Sequence, residues 1–141
     1  MSDIPSPPDD GAARKKVAAL SPALMRLHKA LIQSEKEGYE KYFGTVKTAG
    51  QFLHLLTSDP YFAWLRPLSS LIALVDETLD AEEPVTKTVA AAISNEVRAM
   101  LTPEEEGDGF SRRYFDAMQR EPEVVLAHAE VSKLIGPAAK Q

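Results

Sequence analysis

Rows of apolar residues at alternating spacings of four and three recur along this chain, and such rows commit a polypeptide to α-helix. Leu20, Leu24, Leu27 and Leu31 form the first row. Tyr61, Leu65, Leu68, Ile72, Val75 and Leu79 form the second, and Val85, Val89, Ile93, Val97 and Leu101 follow at intervals of four. A helix turns once in about 3.6 residues, so each row falls on one face and asks to be buried. No segment alternates with the period of two that a half-buried strand requires. The expected fold is all-α, a helical bundle of four main helices plus one or two short ones.

Prolines supply the expected starts. Ser21-Pro22, Asp59-Pro60, Glu83-Pro84, Thr102-Pro103 and Glu121-Pro122 each set a polar residue before a proline that precedes a helical pattern. A first-turn proline loses no hydrogen bond, and Ser21, Asp59 or Thr102 can accept from the free amides that follow. Thr102-Pro103-Glu104-Glu105 also fits a capping box. These signs place one helix at about 22–43, closed by Gly44, and a short one over Gln51–Thr57. In "DPYFAWLRPLSSLIALVDE" they give a short helix at about 60–65, a kink at Pro67 and a longer helix to about 80. Arg66, preceding a proline, is expected outside helical geometry. Two further helices carry Phe110, Tyr114 and Met118, then Val124, His128, Val131 and Ile135. Residues 1–16, rich in Pro, Asp and Ser, read as a disordered tail. Residues 17–136 read as the single helical domain, and 137–141 as a C-terminal tail.

Composition excludes several function classes. A net charge of −5 opposes general nucleic-acid binding, which needs an excess of Lys and Arg. The absence of cysteine removes disulfides, thiolate metal sites and cysteine nucleophiles. No apolar run approaches the length of a membrane span, and the acidic, proline-rich start is unlike a signal peptide. The expected setting is the cytoplasm. No serine elbow, phosphate loop or dinucleotide fingerprint is present, so no catalytic residue and no cofactor are expected.

Two sets of residues remain as candidate sites. Trp64, Arg66 and Tyr61 are residue types that dominate binding hot spots, although Trp64 shares the seam of a helix expected to be buried. His28 and His128 both fall on apolar stripes, with Glu35 and Glu130 nearby in sequence. Together they make the alternative of a metal-binding or small-ligand bundle. The leading expectation is a non-enzymatic interaction or regulatory module. Its partner is a second copy, forming a homodimer, or another protein, engaged through apolar positions such as Leu74, Val125 and Tyr42. A hydrolase-like enzyme ranks third.

"LHKALI", "FLHLLTSDPYFAWLRPLSSLIALVDE" and "EPEVVLAH" resemble a family of small bacterial proteins with no established activity. The resemblance spans most of residues 24–130 and is most specific in "DPYFAWLRPLS". It implies a bacterial, cytoplasmic, helical domain and brings no site residue with it.

Overall fold

The structure, a computed structural model, describes residues 8–136. These residues form six α-helices and one 3-10 segment, with no strand among them: α1 (Pro8–Phe43), α2 (Ala49–Ser58), the 3-10 segment (Pro60–Leu65), α3 (Arg66–Asp80), α4 (Lys87–Met100), α5 (Gly109–Arg120) and α6 (Pro122–Ile135). The all-α expectation holds. The described residues form six α-helices, and they do not single out a bundle of four.

The largest departure lies at the start. α1 runs unbroken from Pro8 through Pro22, so residues 8–16 are helix and not part of a disordered tail. Residues 1–7 and 137–141 lie outside the described residues. Ala13, Val17, Leu20, Leu24, Leu27 and Leu31 continue one 4-3-4-3-4 stripe, and all six are buried. A proline inside a helix costs about 3 kcal/mol, and burying Val17 and Leu20 offsets a cost of that order. Ser21 therefore caps nothing. Its hydroxyl donates to Asp76 Oδ1 of α3 at 2.6 Å. Arg14, also in the supposed tail, donates to the Leu79 carbonyl at the end of α3.

The other proline signals divide. Asp59 accepts from the Tyr61 amide at 2.8 Å ahead of Pro60, and α6 begins at Pro122. α4 starts only at Lys87, where Thr86 accepts from the Val89 amide at 3.1 Å. No helix starts at Pro103. Thr102 instead donates back to the Arg98 carbonyl, finishing α4, and α5 begins at Gly109. Pro67 lies in the first turn of α3, where its missing N–H costs nothing. The backbone changes from 3-10 to α at this point. Arg66 has αR angles, φ −59° and ψ −39°, contrary to the expectation from its place before a proline.

α1 is the spine. It packs against α6 and α3 most extensively, then α4 and the 3-10 segment, while α5 lies on α6 and the 3-10 segment. The core gathers the α1 stripe, Phe62, Leu65, Leu68 and Val75, with Val97, Tyr114, Val124 and Val131 closing the far side. α2 has no fully buried residue and is held mainly by its contacts with the 3-10 segment.

Candidate functional site

The residues singled out in sequence do not converge. Trp64 is half-buried with its ring 5.2 Å from that of Phe110 on α5, and its indole N–H has no acceptor among the described residues. Tyr61 turns the other way, edge-on to Tyr39 of α1 with centroids 5.4 Å apart. Arg66 is exposed and donates to the Thr57 carbonyl at 2.9 Å, capping the last turn of α2. Three directions do not make one patch.

The four residues of the metal alternative are likewise engaged separately. His28 Nε2 is 2.8 Å from Ser69 Oγ of α3, and burial lowers its pKa below the ordinary histidine value. Glu35 is 3% exposed and pairs with Arg120, whose Nε also donates to Ser34 Oγ at 3.0 Å. Glu130 receives two hydrogen bonds from Arg26, at 2.8 and 2.6 Å, which hold its carboxyl below the usual carboxylate range. Among the described residues, no three His, Asp or Glu side chains form a cage for a metal ion.

His128 sits between a tyrosine and a serine. Tyr114 Oη is 2.6 Å from His128 Nδ1, and Ser132 Oγ is 3.3 Å from Nε2. Burial drives the Tyr114 pKa far up, so the phenol keeps its proton and can donate it to Nδ1 or accept from an Nδ1–H, according to the tautomer. In the tautomer that accepts from the phenol, the imidazole carries its proton on Nε2 and offers it to Ser132. In that tautomer the serine accepts from histidine and is not activated, because a general base must take the hydroxyl proton. The trio is a polar strut between α5 and α6.

A groove of about 850 Å³ lies elsewhere, between the outer faces of α1 and α6. On α1, Arg26 meets Glu130 of α6 and Glu35 meets Arg120, two residues before α6 begins, so α1 and α6 run antiparallel. Ala30, Ala127 and Ala129 line its apolar part, and Leu126, 66% exposed, stands over it. With Ala30 opposite Leu126 at the middle, Lys133 stands toward one end beside the paired Arg26 and Glu130; Glu37, Glu121 and Glu123 stand toward the other, and Lys29 lies next to Ala30. Glu130, the remaining carboxylate, is occupied by Arg26.

Sequence reasoning missed this groove. The α6 stripe through Val124, His128 and Val131 does leave Leu126 off the buried face, which is a usable signal. Nothing local indicates that α6 lies beside residues 26–37, a hundred positions upstream.

No protein-family model matches the chain, and neither a curated protein nor a solved structure matches it. The resemblance in the DPYFAWLRPLS block therefore carries no residue role. No helix among the described residues is long and apolar enough to cross a membrane.

Proposed function

We propose that this chain is a non-enzymatic interaction module that docks a protein partner in the groove between α1 and α6. The observation behind this reading is one conjunction: an open groove with small apolar residues at its base, an exposed leucine at its middle and charges at both ends. A single exposed apolar side chain needs no explanation. A large concavity with an apolar centre and a polar rim has the anatomy of a docking surface. Alanines admit a close approach, and Leu126 supplies an anchor for a partner to cover.

The test is retention, by the immobilised chain, of protein from a lysate to which free copies of the same chain have been added. Leu126→Asp is compared with Leu53→Asp, which alters an equally exposed leucine on α2. The expected result is retention by the wild type and by Leu53→Asp, with loss in Leu126→Asp. Equal retention by all three, or none by the wild type, overturns the assignment.

A further inference from the structure

We infer that the groove between α1 and α6 is self-complementary and that its occupant is a second copy of this chain, seated across a two-fold axis near Leu126. The inference rests on the reading of this groove as the docking face and adds the identity of the partner.

The argument starts from how the charges are placed. Lys133 lies seven residues beyond Leu126 on α6, and Glu37 lies seven residues beyond Ala30 on α1. The helices are antiparallel, so these steps run to opposite ends of the groove. At 1.5 Å per residue each charge is about 10 Å from the middle. Glu121 and Glu123 share the glutamate end, whereas at the lysine end Arg26 and Glu130 neutralise each other and Lys133 carries the positive charge. A two-fold axis lying across the groove, perpendicular to the line from Lys133 to Glu37, exchanges the ends, because an isologous interface lays the same patch on itself. Lys133 of one copy then meets Glu37 of the other, and this happens twice. The basic end covers the acidic end, while the two Leu126 side chains meet at the axis over the alanines.

Charge also selects against other occupants. A copy docked in the same direction would set like charges together, which is strongly unfavourable. A nucleic acid or an anionic membrane would gain at the basic end and be repelled at the acidic one. A surface that is positive at one end and negative at the other suits a partner with the same polarity reversed, and this chain presents one.

Sedimentation equilibrium tests the inference on the full chain, with Lys133→Glu, the exchanged Lys133→Glu/Glu37→Lys, and Leu126→Asp. The positions are exposed, and circular dichroism melts verify that each variant folds. At about 50 mM salt the wild type is expected at twice its 15.5 kDa. Raising salt to about 0.5 M, or introducing Lys133→Glu, weakens the dimer about tenfold. The exchanged variant returns to within about threefold of the wild type, and Leu126→Asp is monomeric. Restoration by exchange is diagnostic, since an unrelated partner would not compensate for both reversals.

A wild type that stays monomeric, or a dimer indifferent to Leu126→Asp and to the exchange, overturns the inference. If it is monomeric but still retains protein in a Leu126-dependent way, self-pairing fails and the docking reading stands. If retention fails too, both fall.

Discussion

Replacing Arg120 removes the guanidinium facing Glu35, a carboxylate on α1 almost wholly sealed from water. A buried charge left without its partner is costly, whereas a neutral amide in the same place is cheaper. Because Arg120 is itself half-exposed, Arg120→Met is expected to destabilise the fold by about 2 kcal/mol rather than the larger loss of a fully enclosed pair. Adding Glu35→Gln should recover at least half, as read from urea midpoints; simple additivity would show that the carboxylate never depended on the arginine. The histidines set the response to acid. Burial lowers the pKa of both His28 and His128, so the fold favours their neutral forms. The unfolded chain then binds more protons at low pH. Stability is full above about pH 6.5 and declines as the pH drops from there through the lowered folded values. Urea midpoints should fall between about pH 7.5 and 5.5, and less steeply in His128→Gln. A flat profile in the wild type would remove the burial argument.

α1 illustrates which parts of a helical element can be read from sequence. The stripe from Leu20 to Leu31 was legible because burial of one face is written directly into spacing. Its extension back to Ala13 and Val17 has the same spacing, but Pro22 masks it. A proline is a strong local stop, yet tertiary burial on both sides of it overrides that preference. The same competition decides Thr102-Pro103, where the local pattern suggests a start and the threonine instead closes α4. Asp59 and Pro122 behaved as expected because no competing apolar face runs through them. One contact between elements is unusually tight. A Cβ at Gly38 would lie 2.6 Å from the hydroxyl oxygen of Tyr61, whose ring is braced by Tyr39, Phe43 and Phe62. Alanine normally favours a helix interior over glycine by about 1 kcal/mol. Gly38→Ala should nevertheless destabilise the wild type by about 1 kcal/mol through this overlap, and stabilise a Tyr61→Phe background. If thermal melts show the same sign in both backgrounds, the close approach of α1 to the 3-10 segment is not limiting.

The fold class followed from spacing alone, while the working surface depended on which helices become neighbours. Arg26 meets Glu130 and Ser34 meets Arg120 across separations of 104 and 86 residues, and no local pattern announces either pair. These contacts set α1 beside α6 so that Lys133 stands at one end of the groove and Glu37, Glu121 and Glu123 toward the other. A net charge of −5 conceals that polarity, since the sum says nothing about placement. The chain has no cysteine, so Leu126→Cys installs a single thiol at the middle of the groove, and Leu53→Cys installs one on α2 as its control. Treated at low salt with a short bis-maleimide, the first should convert to a covalent species of twice 15.5 kDa far faster than the second. Equal rates at the two positions, or a Leu126→Cys protein that remains a single chain, would show that the molecule does not pair through α1 and α6.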